Sequence, residues 1–409
     1  MDSRRSMVAI MAAVFLAAAA FHPSPGRAAA ADLETVARGG TAFTLNLYRQ
    51  LAAQEKGNIF FSPYSISLAL GMTYAGAKGE TAAQMARVLG FTLPPDRLHP
   101  ALAELSRHLQ KVGNEGGQVL SLANAVWLNT VLKLQPAYLK LIGDYYSNEM
   151  EQLDFCQEAQ AQKTINDWVS RKTKEHIKDL IPQGVLNCRT MLVLTNAVYF
   201  LGEWADKFDQ EQTKPGPFWP APDQQVETPF MHRTGKYAYA EAEGWQVLRL
   251  PYLGERLSML VLLPKDKGAL AQQAKGLNPE MLARLTRDLR LRQVKVTFPK
   301  FEAKTSYNLT GDLKNLGMPL AFGLQADFRG ITTQRQLRID LVLHKAWVKV
   351  EEKGTEAAAA TAVVMVEKAA PMPVPLREFK ADHPFLYCIQ DRETGLILFW
   401  GRLSNPQAG

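Results

Sequence analysis

The chain has 409 residues, of which 47% are hydrophobic and 21% charged, with a formal charge of +7. That is enough apolar material for a sizeable core and too little net charge to require a nucleic-acid partner. It also excludes a disordered or disulfide-built chain, since there are only three cysteines, Cys156, Cys188 and Cys388.

Arg4 and Arg5 precede an apolar run from Val8 to Phe21, followed by a Pro/Gly break and the small residues Ala28 to Ala31. This is the order of a secretory signal peptide, and the run is shorter than the roughly 20 residues a membrane span needs. Residues 1–30 are read as that signal peptide and 31–409 as one domain. Without Arg4, Arg5, Arg27 and Asp2 the charge is about +5. No later stretch is long and apolar enough for a membrane helix.

Apolar spacing predicts a helix over 33–54. A short strand over 58–61 leads into Ser62-Pro63, a cap and first turn for a helix through Ile66, Leu70 and Tyr74. Further helical pattern covers 80–89, 97–112, 136–146, 159–181 and 278–289. Strands are predicted at 192–199, 246–249, 257–263, 294–301, 342–352, 385–390 and 396–402, the last two joined by a turn at Asp391 to Thr394. Helices first and strands later is an α+β order, with no repeat and no linker. The odd cysteine count predicts stability from packing rather than from a disulfide framework, one bridge being left open. Cys388, in an apolar run, is expected in the core.

Catalytic signatures are absent: no G-x-S-x-G, no S-x-x-K, no H-E-x-x-H and no G-x-G-x-x-G. Gly71 to Lys78 has one residue too many for a phosphate loop and sits in helical pattern. The histidines show no metal-ligand spacing. No enzyme activity, cofactor or metal is therefore expected. Arg284, Arg287, Arg290, Arg292 and Lys295 form a basic cluster, a candidate polyanion site beside its plainer reading as a solvated face. No aromatic residues interleave it, which disfavours single-stranded nucleic acid.

Residues 353–380 are irregular, with an alanine run and three prolines, in a domain where so long a loop is usually functional. Read as a latent strand, Thr355, Ala357, Ala359, Thr361, Val363 and Met365 share one uncharged face. Such a segment can sit in water as a loop, yet enter a sheet without burying a charge on that face.

Here the chain resembles the serpin family, across essentially all of its length after residue 30. The hinge signature is Glu352, then Gly354, Thr355, Glu356 and the alanines Ala357, Ala358, Ala359 and Ala360. Other matching segments are NIFFSPYSIS (58–67), GMTYAGAKGET (71–81), LANAVWL (122–128), NDWVSRKTKEHIKDLI (166–181), TNAVYFLGEW (195–204), VTFPKFE (296–302), ADFRGI (326–331), HPFL (383–386) and FWGRL (399–403). The resemblance implies three β-sheets, eight or nine helices and a reactive loop at about 353–378. It also implies a secreted, monomeric, irreversible inhibitor whose partner is a serine protease. The protease acylates itself on the loop and is trapped as the loop inserts into a sheet. The scissile residue then falls sixteen positions after Glu352, at Lys368, with Ala369 following. A lysine there suits the acidic primary pocket of a trypsin-like protease. Ser62, Ser65, Asn196 and His344 match a sheet-opening cluster; Lys300, Glu352 and Trp204 match the point where insertion starts. A non-inhibitory binding or chaperone protein of the same fold remains the alternative.

Overall fold

The computed structural model describes residues 25–112, 118–147, 149–334, 336–355 and 376–408. Fifteen strands lie among them: β1 (Ile59–Phe61), β2 (Val119–Asn129), β3 (Met150–Leu153), β4 (Leu192–Glu203), β5 (Lys214–Ala221), β6 (Gln224–Ala242), β7 (Trp245–Pro251), β8 (Leu257–Pro264), β9 (Arg290–Pro299), β10 (Phe301–Asn308), β11 (Leu341–Val350), β12 (Gly354–Thr355), β13 (Arg377–Lys380), β14 (Phe385–Asp391) and β15 (Ile397–Leu403). They form two hydrogen-bonded networks. One runs β10-β11-β4-β2-β3, with β12 added on β4; the other runs β1-β15-β14-β8-β7-β6-β9-β13, with β5 on β6. β6 changes partner along its length, from β5 and β9 to β7, and alone joins the two parts of the larger network. With the first sheet these parts make the expected three.

Nine α-helices occur among the described residues, six of them before residue 173. The helix predicted over 33–54 spans Pro25–Gln54, beginning inside the segment read as signal peptide. Ser62 caps the helix Pro63–Tyr74 through its hydroxyl, with Pro63 in the first turn, as its sequence predicts. The helical pattern over 159–181 overran: the helix ends at Lys172. Lys174 and Glu175 then take positive φ values, and the Thr173 hydroxyl accepts the Ile177 N–H, so the chain turns back instead of continuing. The strand predicted over 294–301 is two strands, broken at Lys300.

The main core lies between the two sheets and the early helices, and includes Phe60, Phe61, Val198, Phe200, Trp245 and Trp400. A second, smaller core lies on the outer face of the first sheet. There Ile165 and Val169 of the helix Glu158–Lys172, and Ile177, Leu180 and Ile181 beyond it, pack on Ala125, Trp127, Val193, Ala197 and Leu343. Cys388 is buried, and burial pushes its thiol up to about 12. The expectation of a chain without a disulfide framework needs one addition. Cys156 and Cys188 are bonded, across a sequence separation of 32 that gives no local pairing signal.

Candidate functional site

β4 and β11 pair in parallel, with Val193 opposite Leu341 and Tyr199 opposite Trp347. Both are antiparallel to their outer neighbours β2 and β10. Beyond Tyr199 the two strands no longer pair directly. After β11 the chain turns through Glu351 to Lys353, and β12 runs back antiparallel on β4, with Gly354 opposite Glu203 and Thr355 opposite Gly202. The first residues of the irregular segment thus already occupy a strand position at the upper end of the β4–β11 seam. A strand entering the seam antiparallel would replace one parallel ladder by two antiparallel ones, the slightly more stable kind.

Gly354 is required by this turn. Its φ is +134°, and a Cβ there would come within 2.1 Å of the Gly202 carbonyl oxygen. Glu352 sits beside it, 6% exposed. Its carboxylate accepts from Lys300 Nζ at 2.8 Å and from the Thr213 hydroxyl at 2.7 Å. Burial pushes the Glu352 pKa upward, but the Lys300 and Thr213 hydrogen bonds outweigh it and hold the group below its ordinary value. Trp204 Nε1 donates to the Glu351 carbonyl at 3.0 Å, and its ring stacks on Tyr252 at 4.6 Å. Lys300, Glu352 and Trp204, singled out in the sequence, therefore gather where β12 begins, with Thr213 and Tyr252 as further members.

Lower on the seam, Asn196 of β4 stands opposite His344 of β11. The Ser62 backbone N–H donates to His344 Nε2 at 3.1 Å, and the Ser62 hydroxyl donates to the Leu398 carbonyl at 2.7 Å. The Ser65 hydroxyl donates to Asn124 Oδ1, which also accepts from Asn196 Nδ2 at 3.3 Å. All four predicted residues come together, on the start of one helix and on both seam strands. Asn124 was missed, although a lone asparagine in the apolar run LANAVWL was the available signal. His344 is fully buried, which pushes its pKa down to about 3 and keeps the ring neutral. With Nε2 accepting, the ring proton is on Nδ1. Among the described residues, His344 Nδ1 and Asn196 Oδ1 have no hydrogen-bond partner.

Glu356, Ala357, Ala358, Ala359, Ala360, Lys368 and Ala369 lie outside the described residues. The basic cluster does not gather on one face. Arg284 pairs with Glu243 at 3.0 Å, and Lys295 with Glu378 at 3.4 Å. Arg290 and Arg292 point to the opposite face of β9 from Lys295 by strand alternation. No group of three His, Cys, Asp or Glu side chains that could hold a metal occurs among the described residues. None of their helices is long and apolar enough to cross a membrane.

Fold and site together define an α+β protein whose sheet has a parallel seam with a loop already engaged at its upper end. A family model described as Serpin (serine protease inhibitor) matches residues 38–406, and the chain belongs to the serpin family. An uncharacterized serpin-like protein of Thermococcus kodakarensis is 41% identical over 370 residues, covering 90% of this chain and 85% of that protein. The leukocyte elastase inhibitor of Sus scrofa is 38% identical, covering 91% of this chain and all of the relative. Among solved structures, uncleaved ovalbumin superposes with a TM-score of 0.82 at 27% identity, covering 91% of this chain and all of ovalbumin. Human thyroxine-binding globulin bound to its hormone gives 0.82 at 28% identity, covering 92% and 99%. Serpins are protease inhibitors as a class, and some proteins with this fold bind without inhibiting.

Proposed function

We propose that the chain is an irreversible inhibitor of a trypsin-like serine endopeptidase, consumed by cleavage at Lys368–Ala369. The protease serine Oγ attacks the Lys368 carbonyl carbon. The amide bond breaks, the Ala369 nitrogen leaves with a proton, and Lys368 remains esterified to the protease. The loop then enters the β4–β11 seam before water can release it.

The carrying observation is the register of β12. Continued from Thr355 opposite Gly202, it sets Ala357, Ala359, Thr361, Val363 and Met365 opposite Phe200, Val198, Asn196, Leu194 and Leu192. Those β4 residues are buried, and the apolar ones belong to the main core. Directly opposed residues share a face, so the uncharged face of the loop meets the core. Glu356, on the other face, would meet the partly buried Leu201 at the top. The inserted segment would carry Lys368 roughly 45 Å down the sheet at about 3.3 Å per residue. A protease ester-linked there would be pulled against the far pole, where small displacements of its catalytic groups cost large factors in rate.

Small, uncharged residues at the core-facing hinge positions favour inhibition over the alternative of a binding or chaperone protein, which has no need of an insertable strand. Export after removal of residues 1–30 fits both the leading segment and the Cys156–Cys188 bond, which persists in oxidising compartments. Action as a monomer needs no second chain. Of the basic cluster, Arg290 and Arg292 are the residues proposed for any polyanion contact.

Incubation with trypsin tests the reading. The expected result is a covalent complex stable to SDS and heat, with release of the 41-residue peptide beginning at Ala369. Degradation without a complex would overturn inhibition; a different N-terminus on the released peptide would move the bond.

A further inference from the structure

The outer face of the β4–β11 seam is bridged by a segment that lies outside the reactive loop. Residues 173–190 leave the helix Glu158–Lys172 and return across the sheet to β4. Two reciprocal hydrogen bonds hold Ile181 to Asn166 of that helix, at 2.8 and 3.0 Å. Lys345 Nζ of β11 donates to the Lys178 carbonyl at 2.7 Å. Cys188, near the other end, is bonded to Cys156. Ile177, Leu180 and Ile181 pack on Val193 and Ala197 from one side of the seam and Leu343 from the other.

Within this segment, His176 has a special position. Its ring stacks on Tyr199 of β4 at 3.9 Å and 10°, and on Trp347 of β11 at 4.9 Å and 20°. Tyr199 and Trp347 are direct partners across the seam and stack on each other at 4.9 Å and 10°. Positive φ at both Lys174 and Glu175, rare for residues with side chains, shapes the turn that delivers the ring. A strand entering between β4 and β11 would make Tyr199 and Trp347 next-but-one neighbours, about 9–10 Å apart. The Tyr199–Trp347 stacking is then lost, and the imidazole cannot keep its 3.9 Å contact with Tyr199 and its 4.9 Å contact with Trp347 together.

We propose that His176 is a positioning residue for sheet opening, holding Tyr199 and Trp347 together across the seam and so setting the rate at which a strand enters. The proposal rests on the insertion reading above. Its physical content is that stacked pairs gained in the closed form are lost as the seam parts. The disulfide and the Asn166–Ile181 bonds keep the histidine from simply travelling with one strand.

The test uses the full chain and a synthetic peptide of the sequence Thr355–Val366, offered in excess as a ready-made strand, with uptake followed on native gels and by Trp fluorescence. His176→Ala is expected to take up the peptide about tenfold faster than wild type, the scale of losing ring stacking. His176→Phe, which keeps a ring, should return to within about threefold of wild type. His176→Leu fills the space without a ring and should behave as the alanine variant, keeping the test readable if the latter does not fold. Thermal melts of intact and loop-cleaved proteins add a second arm. The clasp is already parted in the cleaved form, so His176→Ala should lower the melting temperature of the intact protein and leave the cleaved one nearly unchanged. Equal uptake by wild type and His176→Ala, or equal destabilisation of both forms, would overturn the clasp while leaving the inhibitor reading intact. A wild-type protein that takes up no peptide and forms no protease complex would overturn both.

Discussion

Removing the Lys300 ammonium should do more than weaken the top of the seam; it should reverse the pH dependence contributed there. Lys300 is 29% exposed and its partner Glu352 8% by side chain. Breaking a buried pair from one side costs about 3–5 kcal/mol, because the remaining charge is stranded. Partial exposure of Lys300 lets water compensate, so about 2 kcal/mol is expected for Lys300→Ala at pH 7. In the wild type Glu352 titrates below its ordinary 4.5, so its stabilising contribution is full above that pH and is lost as pH falls through the lowered value. In the variant, burial acts with only Thr213 and the backbone opposing it, and the pKa moves up. The contribution then has the opposite sign: the protonated acid is tolerated at low pH, and stability falls as pH rises through the raised value. The gap between the proteins should therefore be small near pH 4 and open to about 2 kcal/mol by pH 7. Urea midpoints at pH 4, 5, 6 and 7 measure it. A gap that is constant, or widest at pH 4, would refute the assignment of the ion pair as what holds Glu352 ionised.

Thr355→Arg should convert inhibitor into substrate, because position 355, already opposite Gly202 on β4, would carry a charge on the core-facing side of the entering strand; SDS gels with trypsin should show cleavage without complex. The paired substitution Cys156→Ser and Cys188→Ser should destabilise the intact protein by about 3.7 kcal/mol on loop-entropy grounds, read from chemical denaturation. His344, held near 3 against an ordinary 6.5, contributes stability that is full above pH 6.5 and is lost as pH falls toward the folded value. His344→Gln should accordingly flatten the loss of stability between pH 6.5 and 4 in urea titrations.

The elements most legible in the sequence were those with local signals. Ser62-Pro63 announced its helix, and the apolar run Leu192 to Tyr199 announced the central strand. β5 and β6 went unread because their burial alternates irregularly, with prolines at 215, 217, 220 and 229 breaking any strict period. The helix overrun past Lys172 has a comparable cause: Ile177, Leu180 and Ile181 keep helical spacing, but they pack as a folded-back segment. Of the site, Ser62, Ser65, Asn196, His344, Lys300, Glu352 and Trp204 were reached through family motifs, whose residues lie up to 290 positions apart in sequence. Thr213 had no such signal, and His176, though inside the matching segment 166–181, was not singled out there. Each acts through a contact that only the assembled sheet creates.

The two unpartnered atoms at Asn196 and His344 bear on the seam they flank. Buried polar groups are usually paired, so an unpaired donor and an unpaired acceptor on residues opposite each other in the ladder are a local frustration. Here it sits on the line where β4 and β11 must separate. Under the proposed insertion, these two groups would stay unpaired until the seam parts. Thr361, by the register of β12, would arrive opposite Asn196 with a hydroxyl able to donate or accept. The destination of the loop would then be written into the hydrogen bonds that the closed sheet leaves unmade.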